Sequence, residues 1–317
     1  NVPVRRVFSM HDLSSIYLLP ELMREAGLDS EVVQLLNLGG RVNSAMDSRA
    51  AIQWSRFTSR LGACDKKVTI GVTGKYTAVR DSYASIIKAL EHAGVAAGAK
   101  VDVAWIDTSN IKSAQQAGEA MAGVDGIIVP GGFGVRGTAG KIACIEYART
   151  HKVPYLGICL GFQMAVIEYA RNVLGLADAD STEIKPDCKD PVIDMLPDQK
   201  KIEGLGGNMR LGGQDVDVAP NTLAAELFGK KQRIRLRFRH RYEVDPLYVK
   251  QLEEAGMVFS GRHPVHPIMQ ILELPRDVHP YFIGTQAHPC LTSRPLNPQP
   301  MFAGLVKAAI ERQGASK

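Results

Sequence analysis

Short apolar runs alternate with helical patterns from residue 68 onward, an arrangement typical of successive βα units. Residues 68–72 predict a first buried strand, and apolar side chains at helical spacing predict a helix over 82–92 that ends at Gly94. The pattern then predicts, in chain order, a strand at 101–106, a helix through about Met121, a strand at 126–129, a helix at 139–150 and a strand at 153–158. Strands and helices in this order predict a parallel sheet whose ligands bind at the carboxyl ends of the strands.

The pattern changes on both sides of this region. After Asn172, loops rich in Asp, Pro and Gly lead to residues 233–239 (RIRLRFR), whose period of two predicts a strand of antiparallel type. Further strands are predicted near Val258, at 267–274 and at 281–287, before a last helix at 301–312. The predicted fold is therefore an α/β three-layer sandwich of flavodoxin-like type over 67–317, with a central, mostly parallel sheet covered by helices on both faces. Residues 1–66 predict a helical linker with a helix near 49–61, and we expect the chain to be part of a longer protein.

Composition narrows the class of protein. With 45% apolar and 22% charged residues, the chain has the composition of an ordinary packed domain. Its five cysteines are scattered and include no CxxC pair, which argues against a disulfide framework or a zinc ribbon and favours a reducing, cytoplasmic setting. No apolar run reaches the roughly 20 residues that span a bilayer, so no membrane partner is expected. A net charge of +5 does not by itself identify a binding partner.

Residues 157–161 (GICLG) place Cys159 between two glycines, at the junction of a predicted strand and helix. This is the cysteine form of a nucleophile elbow, in which a turn too tight for a Cβ holds the reactive side chain at the strand tip. The helix N-terminus is expected to lower the pKa of the thiol and to offer a backbone N–H to an oxyanion, which predicts an accessible, ionised nucleophile. The alternative, a small buried apolar side chain, is the better interpretation for Cys64, Cys144 and Cys188.

A cysteine nucleophile needs a base, and His288 follows directly after the predicted strand 282–287. His263 and His266 lie in a Pro-rich loop and are expected at the surface, while His240 is ambiguous. No metal site is expected, because neither the pair His263/His266 nor the pair His288/Cys290 comes with the further ligands of a tetrahedral centre.

A second oxyanion donor is expected from the glycine-rich loop 130–137 (PGGFGVRG), which also follows a strand. Such a loop could equally cradle a phosphate, but it matches neither a Walker A motif nor a dinucleotide fingerprint. Residues 230–241 carry seven Lys or Arg in twelve positions. Their alternation with apolar residues is typical of a half-buried strand, and no aromatic platform accompanies them, so no nucleic-acid partner is expected.

Three segments together, 130–134, 157–163 and 286–289, resemble the class I (triad) glutamine amidotransferases. Further segments resemble the CTP synthase family: 74–76 (GKY), 81–85 (DSYAS), 134–137 (GVRG), 172–175 (NVLG), 181–183 (STE), 209–212 (MRLG) and 239–244 (RHRYEV). Residues 11–17 (HDLSSIY) are similar to the end of that family's synthetase domain. The resemblance implies that 1–66 are the linker with the end of a synthetase domain and that 67–317 are the amidotransferase domain.

The resemblance also implies an activity. Such a domain hydrolyses L-glutamine through a thioester on Cys159 and passes ammonia to the synthetase domain. That domain aminates UTP with ATP and Mg, with GTP as activator, in an enzyme that is a homo-oligomer (a tetramer) when full length. No cofactor is expected in the amidotransferase domain itself. The resemblance implies Gly132 and Leu160 for the oxyanion hole, and for glutamine binding Gly132, Phe133, Leu160, Gln163, Glu183 and Arg241.

One position departs from the family pattern. The family has Glu two residues after the catalytic histidine, to orient the imidazole, whereas this chain has Cys290. Because a thiol cannot replace a carboxylate, we expect a weakened glutaminase. Three alternatives stay open: a catalytically impaired regulatory or filament-forming module, the glutaminase of another amidotransferase such as that of GMP synthesis, and a γ-glutamyl hydrolase. A Cys159–Cys290 disulfide that controls activity is a further hypothesis.

Overall fold

The structure, a computed structural model, describes residues 2–75, 80–196 and 209–315. Tyr76 of the GKY segment therefore lies outside the described residues. The chain forms two compact units, Asn1–Asp65 and Lys66–Lys317, which divide next to the predicted boundary.

The first unit is helical. Its helices are α1 (Leu19–Glu25), α2 (Leu28–Leu35) and α3 (Ser44–Gly62), with 3₁₀ turns at Val4–Arg6, Ile16–Leu18 and Gly39–Arg41. Its small core is aromatic: Tyr17 packs edge-to-face on Phe57, with ring centroids 5.3 Å apart, and Trp54 donates its indole N–H to the carbonyl of Tyr17 at 2.9 Å. The role of this unit as a linker remains a prediction.

The second unit is built on strands. They are β1 (Lys66–Gly74), β2 (Ala99–Asp107), β3 (Gly126–Val129), β4 (Tyr155–Ile158), β5 (Ala179–Ser181), β6 (Asp190–Asp194), β7 (Arg210–Val218), β8 (Arg233–His240), β9 (Glu243–Val244), β10 (Val258–Arg262), β11 (Met269–Glu273) and β12 (Phe282–Thr285). Nine of them form one sheet in the order β2-β1-β3-β4-β12-β11-β10-β7-β8, and β5, β6 and β9 form a small second sheet. The pairings from β2 to β12 are parallel and those from β12 to β8 are antiparallel. The predicted parallel core is confirmed, with an antiparallel extension.

Helices cover both faces of the sheet, which confirms the three-layer sandwich. They are α4 (Ala84–Ala97), α5 (Ala114–Ala120), α6 (Thr138–Thr150), α7 (Leu160–Asn172), α8 (Leu223–Leu227), α9 (Pro246–Glu254) and α10 (Pro300–Ala315), with 3₁₀ turns at Arg80–Tyr83 and Pro289–Thr292. One apolar core joins the sheet to α5, α6, α7 and α9, and the other joins it to α4, α8 and α10. Within the described ranges, no helix combines the length and the apolar character needed to cross a bilayer.

The predicted end of α4 at Gly94 is wrong. The helix continues to Ala97 and ends where Gly98 adopts a left-handed conformation with φ of 66°. Gly94 has a packing role instead, because a Cβ there would lie 2.6 Å from the carbonyl oxygen of Ala99.

The carboxyl ends of β3, β4 and β12 meet at one edge of the sheet. Gly157 and Ile158 of β4 stand opposite Gly284 and Thr285 of β12, and β3 lies on the other side of β4. The three segments that follow these strands, which carry the glycine-rich loop, Cys159 and His288, are therefore neighbours in space.

Candidate active site

Cys159 occupies a tight turn between β4 and α7, as the GICLG segment predicts. Its backbone has φ of 52° and ψ of −102°, a conformation that L residues rarely adopt and that is typical of a nucleophile elbow. The two flanking glycines are required by close contacts. A Cβ on Gly157 would lie 2.4 Å from the hydroxyl of Tyr155, and one on Gly161 would lie 1.9 Å from the carbonyl oxygen of Val129.

The thiol of Cys159 is more enclosed than the sequence predicts, since the residue is 4% exposed. Its Sγ accepts a hydrogen bond from the amide Nε2 of Gln286 at 3.6 Å and lies 3.8 Å from the carbonyl oxygen of Arg239. Burial raises the pKa of this thiol to about 12, and the Leu160 backbone N–H and the Gln286 amide oppose that rise without cancelling it. The prediction of an ionised, accessible thiol is therefore wrong, because the loss of water outweighs the helix N-terminus.

His288 lies beside the nucleophile. A Cβ built on Gly131 would lie 3.0 Å from the Cε1 of His288 and 3.4 Å from the Cβ of Cys159, so the imidazole and the cysteine flank one glycine. The backbone N–H of His288 donates to the carbonyl of Arg237 at 2.7 Å, which fixes the segment against β8. Burial, helped by the nearby His240 and Arg239, lowers the pKa of the imidazole to about 4. The two groups are thus a neutral thiol and a neutral imidazole at pH 7.

Cys290 stands in the 3₁₀ turn after His288, where the family pattern has Glu. Burial raises the pKa of its thiol to about 11, so it carries no charge at neutral pH. The Nε2 of His288 is buried and has no hydrogen-bond partner in the described part of the chain. Cys159 and Cys290 are both free thiols here, and the disulfide hypothesis stays a prediction.

The glycine-rich loop approaches the start of α7, where the oxyanion hole is expected. The position of a Cβ on Gly132 lies 3.5 Å from the Cδ2 of Leu160, and the Leu160 backbone N–H already bonds the Cys159 sulfur. The same Gly132 position lies 3.7 Å from the Nζ of Lys141, a buried cation that the sequence did not suggest, because a lysine on an amphipathic helix is normally solvated.

The predicted glutamine-binding side chains have different surroundings. Gln163 is buried and donates its amide to the carbonyl of Tyr242 at 2.9 Å and to Oε1 of Gln286 at 3.1 Å. The carboxylate of Glu183 is near enough to Cys159 to add to the rise of the thiol's pKa. Arg241 follows β8, and its Nε is buried with no hydrogen-bond partner among the described residues. Phe133 is 42% exposed beneath the guanidinium of Arg239, at 6.0 Å from the ring centroid.

Sequence reasoning missed the role of Gln286 here and left that of His240 ambiguous. Gln286 was part of a recognised segment, but its contact with the sulfur required the structure. His240 is buried, and its Nε2 contacts Oε1 of Glu243 at 2.8 Å, while Arg210 donates to the same oxygen at 2.7 Å. This cluster anchors the turn that carries Arg241, a role that a strand pattern could not reveal.

No group of three or more His, Cys, Asp or Glu side chains in the described ranges is arranged to hold a metal ion. His263 and His266 form a tilted ring pair with centroids 4.9 Å apart. The chemistry that the turn at Cys159 and the adjacent His288 can support is covalent catalysis by a cysteine with a neighbouring imidazole.

Comparison with known proteins agrees with this chemistry. The model of the family described as glutamine amidotransferase class-I matches residues 78–308. The chain is 46% identical over 314 residues to a protein named CTP synthase from Thermococcus gammatolerans, covering 99% of this chain and 57% of that protein. It is 45% identical over 310 residues to one of the same name from Methanopyrus kandleri, covering 98% and 56% respectively. The chain thus spans little more than half the length of these curated relatives.

A solved structure is similar as well. It is described as the glutaminase domain of Trypanosoma brucei CTPS with bound acivicin and shares 34% identity, with a TM-score of 0.71. The match covers 77% of this chain and 94% of that one.

Proposed function

This chain belongs to the class I glutamine amidotransferase family, and from that membership we propose that it is the glutaminase domain of a CTP synthase. The observation that carries the proposal is the position of Cys159 in a tight turn with positive φ, with His288 on the other side of Gly131 and the glycine-rich loop beside it. Another glutaminase would share this elbow, but the high identity over nearly the whole chain supports the CTP synthase assignment.

Because the thiol of Cys159 and the imidazole of His288 are both neutral before reaction, the order of proton transfers follows. Sγ of Cys159 attacks the side-chain amide carbon of glutamine while His288 takes the thiol proton, because a separated thiolate would be poorly solvated in this buried site. The backbone N–H groups of Gly132 and Leu160 bind the resulting oxyanion. The imidazolium returns its proton to the leaving nitrogen, ammonia departs and a thioester remains. Water, activated by His288, then attacks the thioester, releases glutamate and restores the thiol.

Charge complementarity supports a proposal for how the rest of the substrate binds. Glu183 would pair with the α-ammonium group of glutamine, and Arg241 would bind the α-carboxylate in a fork. Gln163, Phe133 and the loop at Gly132 would complete the contacts. Support comes from the Nε of Arg241, which is buried and has no hydrogen-bond partner among the residues that the structure describes, and from the electrostatic effect of Glu183 on Cys159.

The remaining steps belong to the whole protein. We propose that ammonia passes to a synthetase domain that uses ATP and Mg to aminate UTP, with GTP as activator, and that residues 1–66 lead from that domain. The full-length protein would be a ligase, a homo-tetramer and cytoplasmic.

Mass spectrometry of the protein incubated with glutamine tests the chemistry. We expect a thioester on Cys159 and release of glutamate, both lost in Cys159→Ala. A chain that forms no thioester, releases no glutamate and does not react with a glutamine-like electrophile at Cys159 would instead support a regulatory or filament-forming module.

The full-length protein is needed to test which molecule accepts the ammonia. We expect it to make CTP from UTP and ATP with either glutamine or ammonia, and Cys159→Ala to lose the glutamine-dependent activity alone. Ammonia transfer to a different acceptor would refute the CTP synthase assignment while leaving the glutaminase intact.

A further inference from the structure

Lys141 is a buried cation that no step above uses. It lies in the first turn of α6, is 6% exposed, and donates from Nζ to the carbonyl oxygen of Pro130 at 3.2 Å. Within the described ranges, no carboxylate lies within ion-pair distance of it, in contrast to the lysines that form ion pairs elsewhere. Burying an ammonium group without a carboxylate partner costs stability. Another source of negative charge is therefore expected close to Lys141.

The surroundings of Lys141 are those of the reaction centre. Its Nζ lies 3.7 Å from the position of a Cβ on Gly132, whose backbone N–H is a proposed oxyanion donor. It lines a cavity of about 240 Å³ together with Gly131, Gly132 and Leu160, and Lys75, Arg136 and Tyr83 line the same cavity. Lys141 and Cys159 also influence each other electrostatically: the lysine lowers the pKa of the thiol, and the thiol raises that of the lysine.

We propose that Lys141 is a charge-stabilising residue of the glutaminase, whose ammonium group compensates the negative charge that forms on the Cys159 sulfur and on the nearby tetrahedral oxyanion. The inference rests on the proposed function and adds a residue to it. Negative charge appears at both places only during reaction, so a fixed positive charge beside them stabilises the transition state more than the ground state. Pro130 accepts one of the three N–H bonds of the ammonium, which holds it in place while the others remain for this purpose.

A simpler explanation is that Lys141 only fixes the loop through Pro130. Lys141→Gln separates the two roles, because the amide can still donate to that carbonyl but carries no charge. Lys141→Arg keeps the charge, and Lys141→Met removes both. Lys112→Gln, at an exposed lysine, is the matched control.

The measurement is the rate of alkylation of Cys159 by iodoacetamide, followed by peptide mass spectrometry, with Cys64 as the internal reference. Iodoacetamide is uncharged, so the charge at residue 141 neither attracts nor repels the reagent. We expect Lys141→Gln and Lys141→Met to slow alkylation at pH 8 about threefold to tenfold: a rise of one pKa unit lowers the thiolate population tenfold, and the higher nucleophilicity of the thiolate recovers part of this. Lys141→Arg and Lys112→Gln should stay within about twofold of the unmodified protein.

Folded Lys141→Gln that alkylates at the unmodified rate would overturn the proposal. If neither neutral variant folds, the pH dependence of alkylation in the unmodified protein provides the test. Burial, with the neighbouring charge of Lys75, lowers the pKa of Lys141 to about 8, while Cys159 opposes the shift. The alkylation rate should therefore rise less than tenfold per pH unit across that pKa, and a full tenfold rise throughout would refute the charge effect.

Alkylation needs no glutamine, so this result is independent of whether a thioester forms. A glutaminase in which Lys141→Gln leaves alkylation unchanged disproves the role of Lys141 alone. A protein without thioester chemistry disproves the proposed function alone.

Discussion

His288 and Cys290 stand two residues apart after β12, and the buried Nε2 of His288 has no hydrogen-bond partner in the described part of the chain, where the family pattern would place a carboxylate at position 290. An imidazole that lacks an orienting carboxylate can rotate away from the nucleophile. A thiol is intrinsically more nucleophilic than a hydroxyl and depends less on a well-aligned base. We therefore expect a glutaminase that is slowed rather than abolished.

Cys290→Glu should restore the missing acceptor. We expect glutamine hydrolysis by the full-length protein to increase about tenfold, since the loss of an orienting carboxylate costs up to roughly 10⁴-fold in serine enzymes and a cysteine enzyme depends on it less. Steady-state release of glutamate measures the effect, and Cys290→Ala, which adds no acceptor, is the control. Rates within twofold of each other for the unmodified and Cys290→Glu proteins would refute the prediction.

Arg241→Met should weaken glutamine binding. Loss of a charge-assisted fork to the α-carboxylate costs about 1.5 to 3 kcal/mol, so KM should rise roughly tenfold to a hundredfold while kcat changes less. Arg241→Lys should not restore KM, because an ammonium cannot form the fork. Arg235→Met is the comparison, since Arg235 is exposed and pairs with Asp215 at 2.8 Å. Equal KM values for Arg241→Met and Arg235→Met would remove Arg241 from the substrate site.

Gly161→Ala should destabilise the fold at the elbow. Its Cβ would lie 1.9 Å from the carbonyl oxygen of Val129, so strand and helix must separate, at a cost of about 3 kcal/mol or more. Urea unfolding followed by circular dichroism measures this. Gly314→Ala in α10 is the matched control: nothing lies within 4 Å of its Cβ, and the change should be neutral or stabilising by up to about 1 kcal/mol. Similar unfolding midpoints for the two variants would contradict the close contact.

Stability should fall with acidification because of His279. This buried imidazole accepts the backbone N–H of Tyr281 at Nδ1 and contacts the carbonyl of Ala148 through Nε2 at 3.1 Å, so both nitrogens are occupied in the neutral form. Burial lowers its pKa from 6.5 to about 4. Between these values the unfolded chain binds the extra proton, so the free energy of unfolding decreases as the pH falls through this window, by up to about 3 kcal/mol.

His279→Gln keeps a donor and an acceptor without the titration. Urea unfolding at pH 7, 5.5 and 4.5 should show a smaller loss of stability for this variant than for the unmodified protein. Parallel losses in both proteins would show that His279 does not contribute. Some pH dependence should persist in the variant, because burial lowers the pKa of His288 to about 4 as well.

The sequence predicted what depends on short-range pattern. The apolar run in β3 and the GICLG segment located a strand and the nucleophile, because buried parallel strands and tight turns each require particular residue types in sequence. Strand β7 was missed, since its Gly212-Gly213 pair and its acidic residues break the alternation, and its pairing with β8 supplies the stabilisation instead.

Features that depend on long-range packing could not be predicted. The enclosure of Cys159 comes from Arg239 and Gln286, which lie far from it in sequence, and this enclosure decides the charge of the thiol. In the same way, Lys141 occupies a helical position that local pattern would assign to solvent, and only the approach of the glycine-rich loop makes it an interior cation.

The contact between Gly161 and Val129 has a consequence for redesign. Val129 leads directly into the glycine-rich loop, so the backbone that carries Cys159 rests on the backbone that leads to Gly132, a proposed oxyanion donor. A substitution that moves one of these two segments will displace the other. Mutant libraries aimed at a new acyl substrate should therefore vary both segments together.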